Sequence, residues 1–191
     1  MPNQNIDDQL VIAQTKKWVE SVIVAHNYCP FAKREVDRGS IRYQLVHETE
    51  FNSLLKAVIH ECVWLDQNAD TETTLIIFPE NLNDFNLFLD CLGLAEDLLV
   101  AQGYEGKYQI ASFHPDYCFQ GAEQSDAANY TNRSPYPMFH LIREASVQAA
   151  LEHHPDPESI PERNVEYARE QGLEKMQSLL QACGSIDEIN D

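Results

Sequence analysis

The chain has 191 residues, 43% of them hydrophobic and 9% aromatic, enough for one sizeable core and too apolar for a disordered segment. A formal net charge of −18 opposes binding to a nucleic-acid backbone unless a basic face is set apart, and no run approaches the ~18 apolar residues of a membrane span. MPNQNIDDQL has neither the basic nor the apolar stretch of a signal peptide, so a cytoplasmic location is expected.

Leu10, Val11, Trp18, Val19, Val22 and Ile23 recur with helical spacing and predict an amphipathic helix over 8–27. It ends before Pro30, because the residue ahead of a proline is pushed out of the helical region. IRYQLV, 41–46, alternates Ile41, Tyr43 and Leu45 with polar neighbours and predicts a strand. Phe51, Leu54, Leu55, Val58, Ile59, Cys62 and Leu65 follow a three-four spacing, the clearest helix in the chain. TTLIIFP, 73–79, is continuously apolar after its threonines and closed by Pro79, as expected of a central strand buried on both faces. Phe85, Phe88, Leu89, Leu92 and Leu99 predict a third long helix, and YQIASFH, 108–114, a third strand.

From Pro115 to Pro137, 23 residues keep neither period. Loops of that length inside a compact domain are uncommon and tend to be functional or disordered; this one is expected to be ordered. MFHLIR, 138–143, predicts a fourth strand and ASVQAALEHH a short helix. After the bend PDPESIP, Val165, Ala168, Leu173, Met176, Leu179 and Leu180 predict one final helix. Alternating strands and helices predict a single layered α/β domain over 1–191, with about four strands in a mixed sheet, helices covering it, and the long loop before the last strand. The segment 155–191 is expected to be helical, acidic and packed on that domain. From Glu152 to Asp191, ten Asp or Glu stand against three Lys or Arg.

The seven glycines form no phosphate-cradling loop, and no HExxH, GxSxG or EF-hand pattern occurs, which counts against nucleotide-fold and standard hydrolase chemistry. Five scattered cysteines without a CxxC pair fit a reducing compartment. In NYCPFAKRE, 27–35, Lys33 and Arg34 favour a Cys29 thiolate while a preceding helix C-terminus disfavours one; the plain alternative is a small core residue under a turn. His114 and His140 stand at strand ends. If their strands are adjacent, both imidazoles could converge near the long loop as acid and base; the alternative is that each only anchors loop backbone. His114, Cys118 and His140, with Cys29, form a weak zinc set, and no cofactor is expected. Arg133 and Arg143, with Asn129, suit a bidentate grip on carboxylate or phosphate; alternatively Arg143 pairs with Glu144 or Asp126 and pins the loop.

CPFAKRE, FPE at 78–80, FHPDYCFQG and DAANYTNRSPYPMFHLIREASV occur together. As a set they resemble a family of small bacterial proteins, "domain of unknown function 1415", over Trp18 to about Leu151. The resemblance implies no activity, ligand or catalytic residue. From the residues, the leading expectation is a protein that binds, or also transforms, a small anionic metabolite in a pocket between the CPFAKRE turn and the 114–143 segment. Cys29, His114 and His140 are its catalytic candidates, and Lys33, Arg34, Asn129, Arg133 and Arg143 its binding candidates. The rival is a non-enzymatic module whose long loop is scaffold and whose acidic C-terminal helix meets a basic protein partner. A zinc-binding protein is the third reading. Neither nucleic acid nor membrane is expected as a partner.

Overall fold

The computed structural model describes residues 7–152 and 154–185. Helix α1 (Asp8–Trp18) runs on as a π-helical segment (Val19–Val24), followed by α2 (Ala32–Arg38), β1 (Ile41–Leu45), α3 (Phe51–Gln67), β2 (Thr73–Ile77), α4 (Phe85–Ala101) and β3 (Tyr108–Phe113). A 3-10 turn (Ala127–Thr131) interrupts the long loop before β4 (Met138–Arg143), and α5 (Glu144–Glu152), α6 (Ile160–Gln171) and α7 (Leu173–Gly184) complete the chain. The fold is α/β with a four-stranded mixed sheet, as expected.

Local chemistry accounts for the element ends. Asp7 caps α1 by accepting from the Gln9 N–H, and Asp84 caps α4 by accepting from Leu87, each satisfying a helix-end donor that lacks an intrahelical partner. Two departures from expectation have equally local causes. Helix α2 buries none of its residues, so it carries no apolar stripe to announce it. The single final helix is instead α6 and α7, because Gly172 takes φ 81° between them, a conformation open chiefly to glycine.

The sheet order is β1-β2-β4-β3, with β1 and β2 parallel and β4 antiparallel to both its neighbours. The two inner strands are the apolar ones. All five residues of β2 are buried, and Met138, Phe139 and Leu141 of β4 are fully so. One face of the sheet packs under α3 and α4, where Phe139 meets Phe78 and Phe88 at ring-centroid distances of 5.0 and 5.1 Å. The other face carries Leu75, Ile77 and Met138 against Val11, Trp18 and Val22, with Ala168, Met176 and Cys183 in the same cluster. Helix α7 is further tied to α1, since Gln14 Nε2 donates to the Gly184 carbonyl at 2.9 Å.

Arg143, at the end of β4, holds the α3–β2 connection. Its Nη2 donates to the Leu65 and Thr71 carbonyls at 2.7 and 3.1 Å, and its Nη1 to the Tyr108 hydroxyl at 3.1 Å. That hydroxyl donates in turn to Asp66 at 2.6 Å. Hydrogen bonds from a charged donor contribute about 1.5–3 kcal/mol, so Arg143→Met is expected to lower stability by about 2 kcal/mol. The check is a fall in the urea midpoint at unchanged slope.

Candidate functional site

The long loop is closely wired. Asn129, fully buried, accepts from the Phe119 N–H at 3.0 Å and donates to the Glu123 carbonyl at 2.9 Å. Arg133 donates through Nε to the Tyr117 carbonyl and through Nη2 to the Gln124 carbonyl and side chain, while its guanidinium lies over Tyr130. Trp18 of α1 donates to the Arg133 carbonyl at 3.0 Å. Arg133 and Arg143 thus both turn donors onto backbone carbonyls, and Asn129 is internal to the loop. Arg143 pairs with neither Glu144 nor Asp126; Asp126 is held by Arg169 at 2.7 Å, which keeps its carboxyl below the usual range.

His114 and His140 do not converge, although their strands are neighbours. Ala111 stands opposite His140 in the ladder, and side chains alternate along a strand. His114, three positions further on, therefore faces the α3–α4 side while His140 faces the α1 side. His114 has no exposed surface, and its ring packs against Phe85 and Phe88 at 5.0 and 4.9 Å. Its Nδ1 accepts from the Asp116 N–H and its Nε2 meets the Leu82 carbonyl at 2.9 Å, so the proton sits on Nε2 and both nitrogens are engaged. Leu82 has φ 60°, uncommon for a branched side chain, and this bond holds its carbonyl in place. Burial keeps His114 below the ordinary histidine pKa.

His140 Nε2 lies 2.7 Å from the Thr73 hydroxyl, which itself donates to the Leu141 carbonyl at 2.6 Å. A hydroxyl has one proton, so Thr73 accepts here and His140 is protonated on Nε2. Cys118 lies near the Phe119 and Ala122 carbonyls, and the zinc set does not assemble across the sheet. Among the described residues, no group of three His, Cys, Asp or Glu is placed to hold a metal ion. Cys29 sits in the turn between the π-helical segment and α2 and packs at the edge of the α1-side core. Burial raises its thiol pKa despite N–H contacts from Phe31 and Ala32, so the opposing influences read in NYCPFAKRE resolve toward the neutral thiol. Lys33 and Arg34 point outward and pair with Asp37 and Glu35 at 2.7 and 3.3 Å.

A cleft of about 200 Å³ opens elsewhere, lined by His26, Asn27, Arg163, Asn164 and Tyr167. One wall is the exit of the π-helical segment, where the widened turn is closed by the Ala25 N–H to Glu20 and the Tyr28 N–H to Ile23. Such segments recur at functional sites. Asn27 takes φ 53°, a conformation asparagine tolerates better than most residues. The other wall is α6, which presents Arg163 and Tyr167 one turn apart on one side. Arg163 Nη2 donates to the Asn27 carbonyl at 2.6 Å and to Asn164 Oδ1 at 2.9 Å, while Asn164 Nδ2 donates to the Tyr28 carbonyl at 2.7 Å. No described residue bonds to Arg163 Nε or Nη1. His26 Nδ1 lies 2.9 Å from the Tyr167 hydroxyl, and no described residue bonds to its Nε2. Burial first, then Lys175, lowers the His26 pKa. The cleft takes in Asn27, the first residue of NYCPFAKRE, but none of the catalytic, binding or metal-ligating candidates named from sequence; nothing in the local pattern joins Asn27 to Arg163.

His140 yields a test of the sheet environment. Burial depresses its pKa from 6.5 to about 4, so the unfolded chain takes the proton more readily. Its contribution to stability is full above pH 6.5 and is lost as pH falls through 4, on the order of 3 kcal/mol in all. Urea midpoints should therefore drop further between pH 7 and pH 4 in the wild type than in His140→Leu; parallel drops would contradict this.

The family model described as "Protein of unknown function (DUF1415)" matches residues 10–178, and no curated protein and no solved structure matches the chain. The match covers most of the sequence, including every motif that carried the resemblance, and the chain belongs to this family.

Proposed function

We propose that the chain binds a small anionic metabolite in the cleft between His26–Asn27 and α6. His26 and Asn27, just ahead of the CPFAKRE turn, then form one wall in place of the turn itself, and α6 replaces the 114–143 segment as the opposite wall. The observation that carries this reading is the state of Arg163. Its Nη2 is fixed on the Asn27 carbonyl and Asn164, while the N–H groups of Nε and Nη1, each able to make one charge-assisted bond to an oxyanion oxygen, have no partner among the described residues. Lys33, Arg34, Arg38, Arg42, Lys107 and Arg169 each pair with a carboxylate; Arg163 does not. The long loop serves as scaffold in this reading, because His114, Asn129 and Arg133 are bonded to backbone within and around it.

A ligand that binds only the folded state stabilises it by about 2.7 kcal/mol at a hundred times its Kd. Thermal melts with a panel of phosphate, sulfate and small di- and tricarboxylates are therefore expected to show a concentration-dependent rise in Tm. Arg163→Met should lose that rise, whereas Arg133→Ala, which lowers the starting Tm, should keep it. The reverse pattern would return the anion site to the long loop, and no rise with any anion would remove it.

A further inference from the structure

Resting on that reading, we infer that His26 takes up a proton from solvent as the anion enters, so that the cleft selects a tetrahedral dianion of the phosphate-monoester class over a simple carboxylate. The geometry is that of an oriented imidazole. Nδ1 is held by Tyr167 at 2.9 Å, and the ring stacks on Tyr28 at a centroid distance of 6.0 Å. Nε2 is left without a described partner in a cleft that Arg163 also lines. When the ring is cationic, Nδ1–H donates to the Tyr167 oxygen and Nε2–H donates to the ligand. No bond of the ligand changes; an N–H bond forms on the imidazole as hydronium or the buffer acid gives up its proton, leaving water or the buffer base.

Charge explains why the proton comes with the ligand. The groups that face His26 are Tyr28 from its own turn, Tyr167 and Arg163 from α6, and Lys175 from α7, whose charge together with burial disfavours imidazolium. Lys175 bonds Gln171 and no described carboxylate. The free site therefore repels the extra proton, and a bound dianion reverses the local field. By reciprocity, an anion that makes His26 easier to protonate binds more tightly as pH falls. With Nη2 engaged, Arg163 has no complete edge free to grip both oxygens of a carboxylate, and its remaining N–H groups each reach one oxygen. A further donor and a second nearby cation suit a group with more oxygens and more charge.

The test is calorimetric titration of the full chain with sulfate, whose charge is constant through the neutral range, and with acetate. Sulfate should bind with uptake approaching one proton, read by comparing buffers of different ionisation enthalpy. Its Kd should tighten by up to about tenfold per pH unit on descending through that range, and acetate should bind more weakly. His26→Gln should flatten the pH profile, and Arg163→Met should abolish binding. Sulfate binding without proton uptake, or a slope that survives His26→Gln, overturns the inference while leaving the cleft intact. Sulfate binding that survives Arg163→Met, or no binding by the wild type, overturns both. The buffer comparison uses the wild type alone, so it decides the matter even if a variant folds poorly.

Discussion

Strand β4 enters the sheet antiparallel between β2 and β3, and the rest of the chain accommodates it. Because β2 and β3 both oppose β4, they run in the same direction, separated by the width of one strand. A strand in that position is covered on both faces and hydrogen-bonded on both edges, which is why Met138, Phe139 and Leu141 have no exposed surface. To reach it from β3 the chain must reverse, and it does so through a long irregular segment whose buried backbone groups all require partners. Asn129, Arg133 and His114 supply many of them. Residues with the look of an active site are here the partners of loop carbonyls and amides.

The register of β3 on β4 decides what the two histidines can do. Ala111 opposite His140 puts His114 on the far face; a slip of one residue would have put both imidazoles on the same face. A tight hairpin fixes register through its turn, but a loop this long does not, so the sequence left the pairing open. The strand positions themselves were legible: apolar continuity in β2 is a direct reading of its burial, and the alternation in β1 marks a strand although all five of its residues are half-buried. The same logic explains the misses. Helix α2 buries nothing, so it has no period to detect, and the apolar positions of α6 and α7 run on smoothly across Gly172, whose φ alone divides them.

The cleft was hidden for a different reason. It depends on two backbone features, a π-helical segment and an asparagine at positive φ, that leave little trace in composition. Its walls lie 136 positions apart in sequence, joined by Arg163 and Asn164 reaching the carbonyls of Asn27 and Tyr28. Local motifs identify chemistry contributed by one segment. Here each segment contributes one half, and His26 or Arg163 alone is an ordinary residue.

The charge distribution of α6 sharpens the point. Glu162, Glu166 and Glu170 recur one turn apart and are all exposed, while Arg163 and Tyr167 follow the same spacing one position on and line the cleft. The helix thus separates an acidic stripe from the side that carries Arg163 and Tyr167. Within the acidic C-terminal segment the bases do not neutralise the acids around them: Arg169 reaches out to Asp126, and Arg163 turns to a carbonyl and an amide. At long range a chain of charge −18 repels an anion; at contact, Arg163 and His26 offer donors with no described competitor. Repulsion outside and donation inside act in opposite senses, and salt screens only the first effectively. Under the proposed function, the cleft would discriminate by the number and geometry of hydrogen bonds that a ligand completes, since attraction to the protein as a whole contributes nothing in its favour.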